Sequence, residues 1–281
     1  MTDLLAPLQY DFMVKAMLVS ALVGAVCAVL SCFVTLKGWS LMGDAVSHSV
    51  LPGVVLSYVV GAPFALGAFV FGLGSVIAIG FIKAHSRIKE DTVMGVVFTG
   101  LFALGLVLIS VTPSDVHLSH ILFGNVLGIT TADILQTVII GGFALLVILL
   151  KRKDFLLFCF DPTHARSIGL NTTYLYYALL TLLALTIVAS LQTVGIILVI
   201  SMLITPGAIA YLLTDRFDRM LVWAVASGVF SSVFGTYLSY FLDASTGGCI
   251  VVLQTILFVI ALVFAPKYGL LRLRKRVLAA A

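Results

Sequence analysis

Charge is what this sequence has least of. Only 10% of its 281 residues are Asp, Glu, Lys or Arg, while 62% are hydrophobic. Soluble domains carry about 25% charged and about 45–50% apolar residues. A water-soluble fold of this length has too little interior to hide so much apolar surface, so lipid must be the solvent for most of the chain. The mean hydropathy of +1.22 agrees. Cysteine is scarce too. Cys27, Cys32, Cys159 and Cys249 form no CxxC pair, and they read as small hydrophobes rather than as a disulfide framework or a zinc site. No G-x-x-x-x-G-K-[ST] occurs, so the chain has no P-loop with which to hydrolyse ATP, and no H-E-x-x-H marks an intramembrane zinc protease. No nucleophile–base pair suggests any other enzyme. A cleavable signal is missing as well: Asp3 and Asp11 precede the first apolar run, which is too long for a signal-peptide core. Soluble domains, linkers, low-complexity tracts and internal repeats are not visible, and the lack of a repeat weakly disfavours inverted-repeat secondary transporters.

What the chain does contain is a series of apolar runs. A helix needs about 20 apolar residues to cross the hydrocarbon core. The runs cover residues 12–36, 45–61, 64–82, 92–111, 134–150, 174–190, 194–214, 221–242 and 249–265. The second is short and is interrupted by Pro52-Gly53, so it is either a full span or a re-entrant element, giving nine spans or eight. Net charge is +4, but its placement is a topology signal and not a nucleic-acid face. All basic residues except Lys15 fall after runs one, three, five, seven and nine, as Lys37, then Lys83, Arg87 and Lys89, then Lys151, Arg152, Lys153 and Arg166, then Arg216 and Arg219, then the tail beyond Pro266. The alternate gaps hold no Lys or Arg. By the positive-inside rule the basic side is cytoplasmic, which places the first residues outside and the last inside. The expected fold is all-α: a polytopic transmembrane bundle of eight or nine spans, surrounded by membrane lipid, forming one domain over residues 1–281.

Two stretches carry chemistry. The first is residues 43–53, Gly-Asp-Ala-Val-Ser-His-Ser-Val-Leu-Pro-Gly. Asp44 and His48 are four apart and share a helix face. An ionisable group at the centre of a span costs about 2.5–3.5 kcal/mol on insertion scales, and such groups tend to face a cavity. Pro52 lacks an N–H, which frees the carbonyl of His48. A carboxylate, an imidazole and a free carbonyl suit Mn, Fe(II) or Zn better than a soft ion. The plainer reading is that Asp44 caps its helix and His48 bonds to a neighbouring span. The second stretch is residues 153–171. Asp161 suits an N-cap, Pro162 the first helical position and Gly169 the C′ position. They frame a short helix outside the bilayer, either a docking element for a motor protein or a simple connector. Two lesser features remain. Asp115, His117 and His120 form either a peripheral metal site or a solvated loop. Pro206 either kinks its span or breaks it along a pathway.

Residues 43–53 resemble the signature of the ABC-3 metal-permease family, and more narrowly the bacterial manganese/iron permeases of the Sit and Yfe type. The resemblance runs through residues 161–170, through 194–213 with Thr205-Pro206-Gly207, and through Ser245-Thr246-Gly247-Gly248. It implies the membrane subunit of an ATP-driven importer in a bacterial inner membrane, itself neither an enzyme nor the carrier of a permanent cofactor. The cargo would be Mn²⁺ or Fe²⁺, with Asp44 and His48 as its ligands. Zinc permeases keep a similar pair, so a zinc importer of the same family is the alternative, and an ion-coupled secondary metal transporter lies outside it. The implied partners are a cytoplasmic ATP-binding subunit, a second permease chain (identical or paralogous), and a periplasmic or lipoprotein metal-binding protein. Asp161, Ala165, Arg166 and Gly169 would match the contact with the ATPase.

Overall fold

Inside a bilayer no water is available to backbone N–H and C=O groups, so a chain this apolar must satisfy them within itself, by helices or a closed barrel. A computed structural model of the protein describes residues 6–112, 129–266 and 269. Among them there are 13 helices and no strand. In order they are α1 (Ala6–Gln9), α2 (Asp11–Lys37), α3 (Met42–Ser49), α4 (Leu51–Val60), α5 (Phe64–His85), α6 (Glu90–Val111) and α7 (Thr131–Leu150). Then follow α8 (Arg152–Phe160), α9 (Pro162–Ser167), α10 (Thr172–Val194), α11 (Ile196–Leu213), α12 (Phe217–Leu242) and α13 (Thr246–Phe264).

Among the described residues nine segments are long and apolar enough to cross a membrane, and each overlaps one of the nine runs. The second run belongs to this set: α3 and α4 together make a 19-residue segment, Met42–Val60. The bundle is layered. α2 is largely buried and packs along α11 and α12, whereas α6 and α13 show most of their surface. Leu149, Val96 and Ile260 are among the large apolar side chains left exposed, which is expected where lipid replaces protein as the neighbour.

Contacts within the bundle respect the two ends expected from the basic residues. At the basic end, Arg152 bonds Asp218 at 3.1 Å, Lys37 reaches the Phe158 carbonyl at 3.5 Å, and Lys83 pairs with Glu90. At the opposite end, Thr137 donates to the Ala189 carbonyl at 3.0 Å, and the Ser239 and Thr246 hydroxyls lie 3.1 Å apart. Lys15, the basic residue out of pattern, pairs with Asp11 at 2.5 Å.

Close approach of backbones sets the packing near the site. Gly53 of α4 meets Gly67 of α5 so tightly that a methyl on either would overlap the other's carbonyl. α11 runs through Pro206 without a break, and Gly207 lies against the Ser31 carbonyl of α2. Pro206 is therefore part of a packing surface. Cys27, Cys32 and Cys159 are buried and Cys249 is half-buried, all as free thiols. Asp115, His117 and His120 lie outside the described residues.

Candidate functional site

α3 is eight residues long, with Asp44 in its first turn and His48 in its last. Met42, Gly43, Ala45, Val46, Ser47 and Ser49 are buried, so only the Asp44–His48 face remains open. Asp44 Oδ1 lies 3.2 Å from His48 Nε2, and the side chains are 38% and 26% accessible. Those values decide the character of the site: neither group is sealed in the core, and neither is fully exposed. Leu41 occupies the N-cap position of α3 and no side chain caps that end, so Asp44 is not a cap. Nor does His48 hydrogen-bond to a neighbouring span among the described residues. Its ring sits between Phe98 and Phe102 of α6, with centroids at 5.3 and 5.2 Å. Its Nδ1 is buried and has no hydrogen-bond partner among the described residues. An unsatisfied buried polar atom costs about 1–3 kcal/mol, and the departure from ordinary packing coincides with the motif.

The helix is interrupted at Val50, between α3 and α4, two residues before Pro52. Ser47 and Ser49 turn their hydroxyls back to the Gly43 and Ala45 carbonyls, leaving the acidic and imidazole groups as the polar features of the open face. No group of three or more His, Cys, Asp or Glu gathers among the described residues. One chain thus offers a cation an oxygen and a nitrogen at this point, short of the coordination a divalent transition metal takes.

The second stretch forms the short helix α9. Asp161 accepts from the Thr163 and His164 N–H groups, both at 2.9 Å, and Pro162 occupies the first helical turn. Gly169 has φ +89°. Its N–H bonds the Arg166 carbonyl at 3.1 Å, and the Leu170 N–H bonds the Ala165 carbonyl at 3.0 Å, the paired bonds of a Schellman end. Ala165 is fully buried, so its side chain faces the bundle. The Arg166 guanidinium turns toward Thr172 Oγ1 at 3.4 Å. Asp161, Thr163, His164 and Ser167 are exposed.

Two pairs of residues join these sites without having been singled out by sequence. Phe98 and Phe102 wall the imidazole, but two Phe four apart in an apolar span look the same whether they face lipid or a pathway. Phe160 and Ile168 flank α9 and are 80% and 57% exposed. A large apolar side chain immediately before the Asp161 cap of a helix expected outside the bilayer was the available signal for Phe160.

Residues 9–265 match the model of the ABC 3 transport family. The chain is 66% identical over 268 residues to the manganese transport system membrane protein MntB of Synechocystis sp., covering 95% of this chain and 88% of that one. It is 57% identical over 258 residues to the chelated iron transport system membrane protein YfeD of Yersinia pestis, covering 92% and 87%. Among solved structures, PsaBC from Streptococcus pneumoniae in complex with Fab superposes with a TM-score of 0.86 at 39% identity, covering 96% of this chain and 98% of that one. The inward-facing structure of a putative metal-chelate type ABC transporter shares the fold at 16% identity, with a TM-score of 0.67.

Proposed function

The chain belongs to the ABC 3 transport family, and on that premise we propose that it is the membrane permease subunit of an ATP-driven importer of Mn²⁺ or Fe²⁺ in a bacterial cell membrane. Relatives named for manganese and for chelated iron transport support the cargo class. The observation that carries the reading is the open Asp44–His48 face, with its close carboxylate–imidazole approach and its unpartnered Nδ1. A hard anionic oxygen and a borderline nitrogen suit these ions. The negative charge of Asp44 offsets part of the cost of stripping water from a cation within the membrane.

With two donors per chain, a second permease chain, identical or paralogous, would bring a second pair to a shared path, and water would complete the shell. A cytoplasmic ATP-binding subunit would dock on α9 and supply the energy this chain cannot, the exposed Phe160 and Ile168 giving it apolar anchors. An outer metal-binding protein would deliver the ion.

Purified complex in proteoliposomes should take up Mn²⁺ only with ATP. Metal counting on the wild-type complex and on the Asp44→Asn/His48→Ala double variant tests the site. Loss of bound metal is the expected result, and equal occupancy would refute it.

A further inference from the structure

At the basic end a cavity of about 350 Å³ opens between α2, α5, α10 and the α8–α9 segment. Lys37, Lys83, Arg166, Thr173, Tyr176 and Tyr177 are among its lining residues. Three cations meet there with one nearby carboxylate. Glu90 is already engaged, paired with Lys83 and accepting from the Tyr176 hydroxyl at 3.3 Å. Lys37 has no carboxylate partner among the described residues: its ammonium lies over the Phe158 ring at 4.2 Å and reaches the Phe158 carbonyl at 3.5 Å. Arg166 contacts the neutral Thr172. Gly80 has no side chain where a methyl would press on the Tyr177 hydroxyl, and that hydroxyl makes no hydrogen bond among the described residues. The cavity thus holds a net charge of two positive units, with unspent donors from an ammonium, a guanidinium and a phenol.

We propose that this cavity binds the headgroup phosphate of an anionic phospholipid. Its depth fits. Lys37 ends α2, Lys83 lies in the last turn of α5, and Thr172 and Thr173 open α10, so three spans reach the headgroup level together. Tyr176 and Tyr177, half-buried on α10, supply aromatic rings of the kind found at that level, and the buried Trp39 stands edge-on behind Tyr176 at 5.3 Å. Phe81 and Tyr174, on the same helices, are 59% and 69% exposed and offer apolar surface to acyl chains. Basic pockets between spans on the cytoplasmic side are suited to anionic headgroups. From α9 the cavity is lined by Pro162 and Arg166, whereas Thr163, His164 and Ser167 are exposed outside it, which favours lipid over an acidic partner protein. The bound lipid would brace Arg166, and with it the coupling segment, against the spans.

The test is native mass spectrometry of the delipidated full-length complex, titrated separately with dioctanoyl-phosphatidylglycerol, dioctanoyl-phosphatidylcholine and inorganic phosphate. We expect one saturable phosphatidylglycerol per chain, preferred over phosphatidylcholine by at least about fivefold, the value of roughly one surface cation. Lys37→Gln should weaken it by about as much, Lys37→Arg should restore it, and Tyr177→Phe should weaken it without altering assembly. If Lys37→Gln does not assemble, the Lys37→Arg and Tyr177→Phe results decide. Equal binding of the two lipids, or no effect of Lys37→Gln and Tyr177→Phe, overturns the proposal. Phosphate binding as tight as phosphatidylglycerol assigns the cavity to a soluble anion and overturns it too. So does headgroup binding to the permease alone that is lost in the full complex, which would mean the ATPase fills the cavity.

Discussion

Asp44 and His48 do different work at one point, and single substitutions separate them. Asp44→Asn keeps the shape and removes the charge; His48→Ala removes the nitrogen. A hydrogen bond or ligand contact to a charged group is worth about 1.5–3 kcal/mol, so each change should lower uptake by roughly tenfold to a hundredfold. The complex should still assemble, because both side chains sit on the open face of α3. A histidine that merely packs would instead lower stability and leave uptake per folded complex unchanged, which a paired melting and transport measurement distinguishes. Cys159 is the contrasting case of a reactive residue made inert. Burial pushes its thiol up to about 12, an effect the nearby Lys37 only partly opposes. The neutral thiol is the favoured folded form, so its contribution is intact below the ordinary thiol value of 9.0 and is lost as pH rises toward about 12. Maleimide should therefore leave Cys159 unmodified at neutral pH, and Cys159→Ala should shrink the loss of melting temperature on alkaline titration; no change in that slope would count against it. The Asp44–His48 pairing on one helix face was legible in the sequence because ionisable groups are rare in a span, so two at helical spacing stand out. Its aromatic walls were not, since aromatic residues in a lipid-facing span leave the same pattern. The inward direction of Ala165 was also hidden, because the rotation of a six-residue helix is set by packing and not by its caps.

Helices in this bundle are held where glycine lets them touch. At Gly53 and Gly67 the α4 and α5 backbones meet, and at Gly24 and Gly228 so do those of α2 and α12. By contrast, a methyl at Gly95 or Gly100 of α6 would meet nothing within 4 Å. This divides the glycines into two experimental classes. Gly67→Val should force α4 and α5 apart and cost about 1–3 kcal/mol or more, with loss of the assembled complex or a lower melting temperature. Gly95→Ala should be neutral or stabilising by up to about 1 kcal/mol, because alanine is the better helix former. Equal effects at the two positions would contradict the packing. Gly169 belongs to a third class, where conformation is the constraint: its φ of +89° disfavours any β-branched residue. Gly169→Val should disturb the end of α9 and reduce transport per ATP hydrolysed while leaving metal occupancy at Asp44 and His48 intact. Unchanged coupling in that variant would reduce the segment to a connector. The caps of α9 could be read from Asp161, Pro162 and Gly169 because each residue type has a specific backbone reason to stand there. The Gly53–Gly67 contact could not, since a glycine in a span looks alike whether it faces a helix or lipid.

The whole molecule has two chemically different ends, and its orientation follows from that difference. Lys83–Glu90, Arg152–Asp218 and the Lys37 contacts gather at one end, while Ser239–Thr246 and Thr137–Ala189 mark the other. The spans were legible from composition because lipid imposes a length, and their alternation was legible because basic residues collect after every second one. The α10–α11 join was less so: one residue, Gly195 at φ +81° and ψ +165°, links two helices, in a backbone region reserved essentially to glycine, so the turn contains no loop for composition to reveal. The outward start and inward end of the chain can be tested with impermeant maleimide on intact cells. Cys27, Cys32 and Cys159 are buried, so Cys249→Ser gives a silent background. Ala244→Cys, exposed beside the start of α13, should then label from outside. Ser86→Cys, in the basic turn between α5 and α6, should label only after the membrane is opened. If the topology were inverted, Ser86→Cys would label on intact cells and Ala244→Cys would not. With one spanning segment fewer between Ser86 and Ala244, both would label from the same side. The pair of positions therefore tests orientation and the parity of the crossings between them in one experiment.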